Sequence, residues 1–192
     1  MAPGNRRERE RAEREQLIIR TARELAETEG WEAVTTRRLA AEIEYSQPVL
    51  YSHFSGKAAI MTAVAAEGFV ELATALRAAR TAATGVRESL AAVARAYTDF
   101  ARERPALYDA MFTHAVDLQF ASETTPDALQ AGFAEFLEVV GPVAGPDAPG
   151  LLAETFWAGL HGLALLERSG RLLGQAHDDR LTLLIDRLTV PR

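Results

Sequence analysis

The chain contains no cysteine, and Lys57 is its only lysine, so every other basic residue is an arginine. Without cysteine, a disulfide framework, a thiolate metal centre and a cysteine nucleophile are excluded. No stretch approaches the roughly 20 apolar residues that a helix needs to span a bilayer. The first 15 residues are charged rather than apolar, so we expect no secretory signal and a cytoplasmic protein without a membrane span.

The sequence patterns of common enzymes are also absent. There is no G-x-x-x-x-G-K-[ST], G-x-G-x-x-G, G-x-S-x-G or H-E-x-x-H motif. Of the four histidines, only His114 has a carboxylate at ligand-like spacing, that of Asp117, and one carboxylate makes a weak metal site. We therefore expect no enzymatic activity, no catalytic residues, no cofactor and no bound metal.

Composition describes an ordinary globular protein of 192 residues, of which 48% are hydrophobic and 25% charged. A chain of this length buries a core without disulfides or metals. The net charge of −6 argues against a nucleic-acid partner, but its distribution matters more. Residues 1–57 hold 10 basic and 10 acidic residues, so all of the net negative charge lies in the remainder.

Apolar residues recur at helical spacing through most of the chain, which predicts an all-α fold of about nine helices. Residues 1–12 are rich in arginine and glutamate, and we expect them to be a frayed lead-in to a first helix that ends at Gly30. The other expected helices cover about residues 35–43, 46–54, 57–80, 86–103, 105–112, 128–140, 151–169 and 178–188.

Two short helices joined by a tight turn, after a longer helix, are typical of a helix-turn-helix unit that places its second helix in the DNA major groove. Hydroxyls and cations at helix N-termini suit phosphates. Gln47 offers a donor and an acceptor to an adenine edge, and Pro48 and Val49 offer apolar contact to a thymine methyl. The expected DNA contacts are Thr35, Arg37, Ser46, Gln47, Pro48, Val49, Tyr51, His53 and Lys57.

The segment TTRRLAAEIEYSQPVLYSHFSGKAAI resembles the DNA-binding domain of the TetR family of bacterial transcriptional regulators. The resemblance implies an all-α homodimer with a DNA-binding domain, expected at residues 12–58, and an effector-binding and dimerisation domain, expected at residues 59–192. It also implies a ligand-responsive regulator. We expect a repressor that binds a palindromic double-stranded DNA operator and is released by a small molecule.

One position departs from the family pattern, because Glu44 stands where the family usually has glycine in the turn. A left-handed backbone at a residue other than glycine costs about 1 kcal/mol. Glu44 also adds a negative charge near the expected path of a phosphate, so either the turn adopts another geometry or the DNA affinity is modest.

Two stretches of the C-terminal half, RERPALYDAMF (102–112) and WAGLHGLALLERSG (157–170), are similar to one branch of the same family, which has a Trp-x-x-x-His-Gly stretch. This similarity implies that Trp157 and His161 lie on the penultimate helix, between a ligand cavity and the dimer interface.

The region from Val86 to Trp157 is rich in aromatic side chains and includes an alanine-rich helix that leaves space between them. No arginine or lysine lies between Arg104 and Arg168, which disfavours a strongly anionic ligand because a buried unpaired charge is costly. We expect an apolar effector, with a filled core as the competing possibility. The expected contacts are Tyr97, Phe100, Tyr108, Met111, Phe112, His114, Trp157 and His161.

The last two helices are apolar on more than one face, which predicts a homodimer through a four-helix contact. The apolar residues are Leu152, Phe156, Trp157, Leu160, Leu163, Leu165, Leu166, Leu181, Leu184, Ile185 and Leu188. The alternative is a helical ligand-binding or interaction protein whose DNA-binding unit is weakened, which Glu44 and the acidic balance favour.

Overall fold

The structure is a computed structural model that describes residues 3–114, 127–145 and 148–189, with side chains from Arg6 onward. The described residues form nine α-helices and no strand, which confirms the predicted all-α class. The helices are α1 Pro3–Glu29, α2 Thr36–Glu42, α3 Gln47–Tyr51, α4 Lys57–Ala82, α5 Val86–Glu103, α6 Pro105–Phe112, α7 Asp127–Val140, α8 Pro149–Arg168 and α9 His177–Thr189. Short 3-10 turns lie at Trp31–Ala33, Gly141–Val143 and Gly174–Ala176.

Helix α1 begins earlier than the sequence predicted, because the expected lead-in is helical from Pro3. Its interleaved charges pair one turn apart, with Arg6 Nε 2.8 Å from Glu10 Oε1 and Arg11 Nε 2.9 Å from Glu15 Oε1. Such pairs stabilise a helix by only about 0.2–0.5 kcal/mol each. The prediction of a frayed lead-in was wrong, because regularly spaced opposite charges support the first turns of α1, which have no apolar face of their own.

The described residues pack as two compact units. The first contains residues 3–68 and 104–114, and the second contains residues 69–103, 127–145 and 148–189. Helix α4 belongs to the first unit up to Gly68 and to the second from Phe69. By this packing α6 is part of the first unit, although it follows α5 of the second unit in sequence.

Helix α6 is held in the first unit by the end of α1 and by the 3-10 turn at Trp31–Ala33, which follows α1. The carboxylate of Glu27 accepts hydrogen bonds from the backbone N–H groups of Ala106 and Leu107, at 3.1 and 3.0 Å. These groups have no partner within their own helix, and a negative charge at this end is favoured. Trp31 adds a hydrogen bond from its indole Nε1 to the carbonyl oxygen of Ala106, at 2.8 Å.

Gly68 lets α4 approach α6 closely within the same unit. A Cβ added there would lie 2.6 Å from Met111 Sδ and 2.8 Å from Leu107 Cδ1. Both partners are fully buried side chains, so they have little room to move. The position therefore accepts glycine and little else.

In the second unit, one buried carboxylate links α7 to α4. Glu135 accepts hydrogen bonds from Arg77 Nε at 2.7 Å and Arg80 Nε at 2.8 Å. Burial alone would raise the pKa of Glu135, but the two guanidinium groups outweigh burial and hold this pKa below its ordinary value. The contribution of these ion pairs to stability is therefore fully present above the pKa of an unfolded glutamate. It is lost as the pH falls through the pKa of Glu135 in the folded protein.

Helix α4 qualifies the expectation that no stretch resembles a membrane span. By length and composition it is apolar enough to cross a bilayer. Half of its most apolar 18-residue stretch is buried inside the protein, and the core helix of a soluble protein has the same character. The helix is weak evidence for a span.

The turn between α2 and α3 has the left-handed backbone geometry, a question that the sequence analysis left open. Glu44 has a φ of 56°, and no other non-glycine residue in the described ranges has a positive φ. The hydrogen bond from Tyr45 N to Ala40 O, at 2.8 Å, closes the end of α2 around it. The turn thus keeps the left-handed geometry at a residue whose Cβ opposes it.

We predict that Gly68→Ala destabilises the protein by about 1–2 kcal/mol, since overpacking outweighs the gain in helix propensity. Gly132→Ala in α7 is the matched control, because an added Cβ there meets nothing within 4 Å. It should stabilise by about 0.5–1 kcal/mol. Urea unfolding measures the free energy of unfolding of both variants. Equal effects at the two positions would contradict the close approach of α4 to α6 at Gly68.

We predict that Glu44→Gly raises the free energy of unfolding by about 0.5–1 kcal/mol, because it relieves the left-handed strain. Glu44→Gln keeps the strain, removes the charge and should leave stability unchanged. Thermal and urea unfolding of the two variants test this. A Glu44→Gly protein less stable than the parent would show that the turn is not strained.

Candidate nucleic-acid interface

Helices α2 and α3 form a helix-turn-helix whose inner faces are apolar. Leu39, Ala40 and Leu50 are buried. The Thr35 hydroxyl accepts a hydrogen bond from Arg38 N at 3.1 Å, so Thr35 is the N-cap of α2. Ser46 occupies the N-cap position of α3 without a side-chain cap bond, and Pro48 lies in the first turn. These caps start two short helices that face the solvent with their remaining side chains.

Most of the expected DNA contacts lie on the exposed side of this unit. Gln47 is partly exposed, and the exposed residues are Thr35, Arg37, Ser46, Pro48, Val49 and Tyr51. Tyr51 is 51% exposed, so it is not a core aromatic. Its hydroxyl lies 3.3 Å from the Thr36 hydroxyl, and together they form a polar pair across α2 and α3.

Thr36 is a candidate contact that the sequence argument missed. Its only sequence signal is its place beside Thr35 at the start of α2. Helical spacing cannot show a pairing with Tyr51, because the two residues lie on different helices.

The two arginines of α2 differ in their surroundings. Arg38 is occupied by Glu42 at 2.7 Å and Glu29 at 3.1 Å, and the hydrogen bond to Glu42 and the charge of Glu29 raise its pKa. Arg37 is exposed and has no partner among the described residues. Arg37 is thus the cation of α2 that remains available to a phosphate.

His53 and Lys57 are held more tightly than the sequence suggested. The side chain of His53 is only 6% exposed, and its Nδ1 lies 3.3 Å from Glu15 Oε1. A hydrogen bond from Arg11, with a smaller one from His53, lowers the pKa of Glu15 despite its partial burial. His53 therefore faces α1 and is not on the exposed surface. Lys57 Nζ donates to the carbonyl oxygen of Trp31 and is partly exposed at the start of α4.

The eight expected effector contacts are divided between the two units. In the second unit, the Tyr97 hydroxyl accepts from Trp157 Nε1 at 2.9 Å and lies 3.1 Å from His161 Nδ1. Burial lowers the pKa of His161, which favours its neutral form. These groups are brought together but already hydrogen-bond one another. Phe100, also in this unit, is buried.

The other four expected contacts lie in the first unit. Tyr108 and Met111 are fully buried, and the rings of Tyr108 and Phe112 lie 4.7 Å apart. His114 packs edge-on to Trp31, with ring centroids 6.1 Å apart.

Two cavities are lined by residues other than Tyr97, Trp157 and His161. One, of about 350 Å³, is lined by Trp31 and His114 in the first unit. Another, of about 220 Å³, is lined by Thr98, Glu167 and His177 in the second unit. His114 is the only expected effector contact that lines either of these two. Asp117, its possible partner at a metal, lies outside the described residues, and the described residues contain no group of three potential metal ligands.

Comparison with known proteins identifies both halves of the chain. The model for bacterial regulatory proteins of the tetR family matches residues 18–64, and the model for a tetracyclin repressor-like C-terminal domain matches residues 90–188. Over 50 residues, 26% of this chain and 23% of the relative, it is 48% identical to the class C tetracycline repressor protein of Escherichia coli. The chain spans between a quarter and a half of the length of the curated relatives it matches.

Solved structures share the fold along almost the whole chain. A protein of unknown function from Rhodococcus sp. RHA1 has a TM-score of 0.76 and 27% identity, covering 91% of this chain and 92% of its own. A TetR-family transcriptional regulator from Pectobacterium atrosepticum has a TM-score of 0.69 and 20% identity, covering 93% and 92%. The chain belongs to the TetR family of bacterial regulatory proteins.

Proposed function

We propose that the protein is a cytoplasmic homodimeric repressor that binds a palindromic DNA operator and is released by a small apolar effector. The observation that carries the DNA-binding part is the exposed face of α2 and α3. It presents hydroxyls, one unpaired arginine and the first turn of α3 to the solvent together.

The exposed face divides into base-reading and phosphate-binding groups. Gln47, Pro48 and Val49 lie in the first turn of α3, the part of a recognition helix that reaches base edges. Arg37 and the paired hydroxyls of Thr36 and Tyr51 suit phosphate oxygens. We omit His53 from the proposed contacts, because it is directed at Glu15.

Lys57 stays in the proposal for an electrostatic reason. A cation at a helix N-terminus is disfavoured unless an anion is near. Its hydrogen bond to the Trp31 carbonyl uses one of three ammonium hydrogens and leaves the charge uncompensated. A DNA phosphate at this position would supply the missing anion.

Dimerisation is proposed through α8 and α9. The buried stripe of α8, formed by Ala153, Phe156, Leu160 and Ala164, faces the core of its own unit. Leu151, Ala158 and Leu165 follow one another at seven-residue spacing on the exposed side, where Leu151 is 66% and Leu165 37% exposed. Such an apolar stripe is suited to a second copy of the same helix.

The effector is proposed to bind in the second unit, near Tyr97, Trp157 and His161. Ligand sites are mostly apolar with a few polar groups that fix orientation, and this cluster has that character. Because α4 runs from Lys57 into the second unit, a ligand that favours one pose of α4 would change the separation of the recognition helices. A thermal-shift screen paired with DNA-release assays tests this, and release only by multiply anionic compounds would contradict it.

A second candidate function is a helical ligand-binding protein with a weakened DNA unit. The observation in its favour is the exposed carboxylate of Glu44 in the turn of the helix-turn-helix. A gel-shift against the DNA upstream of the chain's own gene distinguishes the two, since this candidate predicts no specific complex. If only the charge weakens binding, Glu44→Gln restores it.

We predict that Lys57→Ala and Tyr51→Phe weaken binding to specific and nonspecific DNA about equally, because both remove phosphate contacts. Lys57→Ala should also reduce the slope of log K against log salt by about one unit. Gln47→Ala should instead relax the base preference at one operator position, by about 1–3 kcal/mol. Glu138→Gln, exposed on α7, is the control. If Lys57→Ala binds DNA with unchanged affinity and unchanged salt dependence, Lys57 does not contact a phosphate.

We predict that Leu165→Glu dissociates the dimer, because it places a charge within the proposed apolar contact. The dimer dissociation constant should rise at least about 30-fold, as for an interface hot spot. Val86→Glu, at another exposed apolar position, is the matched control and should remain dimeric. Sedimentation equilibrium measures both. A parent protein that is monomeric at micromolar concentration counts against the interface itself.

A further inference from the structure

Helix α3, which carries the proposed base contacts, is attached to the rest of the first unit by few groups. It has only five residues, Gln47–Tyr51, and a helix this short is not stable in isolation. Within α3, all of which the structure describes, Leu50 is the one buried side chain. One buried side chain fixes where a helix lies but lets the helix turn about that point. The direction of α3 therefore depends on contacts at its ends.

The best protected of these contacts follows the C-terminal end of α3. The side chain of His53 is only 6% exposed, and its Nδ1 lies 3.3 Å from Glu15 Oε1 on α1. At the other end of α3, Ser46 makes no side-chain cap bond. A second link joins the hydroxyls of Thr36 and Tyr51 at 3.3 Å, but it is exposed to water, which competes for both groups.

Glu15 is the acceptor in its contact with His53. A hydrogen bond from Arg11, with a smaller one from His53, holds the pKa of Glu15 below its ordinary value, so its carboxylate is ionised at neutral pH. An ionised carboxylate has no proton to give, so the Nδ1 of His53 carries the proton and donates it. Hydrogen bonds to charged acceptors are stronger than neutral ones. Helix α1 thus holds the end of α3 by a directed, charge-assisted bond.

We infer that Glu15 is a positioning residue for DNA recognition, which acts through His53 to fix the direction of α3. The first turn of that helix carries the proposed base-reading residues, and such groups have to be held within about 0.5 Å and 10–20° of their working geometry. Nonspecific binding depends on charge and not on this geometry. The contact therefore supports sequence specificity, and the inference rests on the DNA-binding function proposed above.

The substitution Glu15→Ala separates positioning from charge, because the two effects have opposite signs. Removal of a carboxylate by itself strengthens the binding of DNA, whereas loss of positioning weakens recognition. The probes are the duplex that the parent protein selects from a random-sequence pool and a random-sequence duplex of equal length. We expect Glu15→Ala to bind the selected duplex about three- to tenfold more weakly than the parent protein, and the random duplex no more weakly.

Three further variants show through which contact Glu15 acts. Glu15→Gln keeps an oxygen that accepts from His53 and should restore most of the affinity for the selected duplex. Glu10→Ala is the matched control and should not weaken this binding, because it removes a carboxylate that pairs with Arg6 one turn along the same helix. His53→Phe keeps a ring and removes the donor, so Glu15→Ala should cause no further loss in that background.

Amide hydrogen exchange tests the same contact without DNA. The amides of Leu50 and Phe54 donate to the carbonyl oxygens of Ser46 and Leu50, at 3.2 and 3.0 Å. Both amides should exchange about three- to tenfold faster in Glu15→Ala, and at the parent rate in Glu15→Gln. The amides of Ile18 to Ala22 in α1 should be unaffected, which distinguishes a loosened α3 from a general loss of stability.

The inference is overturned if Glu15→Ala leaves the ratio of the two DNA affinities at the parent value, or if Glu10→Ala lowers this ratio equally. Unchanged exchange at Leu50 and Phe54, or equal acceleration at Ile18 to Ala22, also overturns it. A parent protein that selects no duplex contradicts the proposed DNA-binding function instead. The exchange measurement then decides on its own whether Glu15 fixes α3.

Discussion

The hydrogen bonds of Trp31 hold the first unit together. Its indole is 6% exposed and donates to the carbonyl of Ala106 in α6, while its own carbonyl accepts the ammonium of Lys57 at the start of α4. A buried indole N–H needs a partner, and a buried carbonyl left without one costs about 1–3 kcal/mol. One residue between α1 and α2 thus sets where two later helices begin.

This constraint explains why α6 belongs to the same unit as α1, although α6 follows α5 of the second unit in sequence. Glu27 satisfies the N-terminus of α6, and Gly68 leaves space for its side chains. The proposed interface for DNA therefore rests on a unit built from two separate parts of the chain. The backbone N–H groups of Glu44 and Tyr45 donate to the carbonyl oxygens of Ala41 and Ala40, and these bonds hold the strained backbone of Glu44 in place.

Local signals predicted the helices well, and long-range contacts account for the failures. Helices α5 and α6 have the predicted bounds, 86–103 and 105–112, and Thr35 caps α2 through a bond to the residue three positions later. His53 was predicted to contact DNA, but its side chain faces Glu15, which lies 38 residues earlier. Local helical spacing does not show such a long-range contact. The grouping of the effector residues was beyond reach for the same reason: helical spacing places Tyr108 and Tyr97 on neighbouring helices but does not show that they pack in different units.

Native-state hydrogen exchange tests most directly whether α6 is part of the DNA-binding unit. The account predicts that the amides of Tyr108 to Met111 open with the same free energy as those of Ile18 to Ala22. Trp31→Phe removes the bond to Ala106 and should lower both values by about 1–2 kcal/mol, leaving the amides of Ala94 to Thr98 unchanged. Exchange of the α6 amides together with those of α5, unaffected by the substitution, would contradict it.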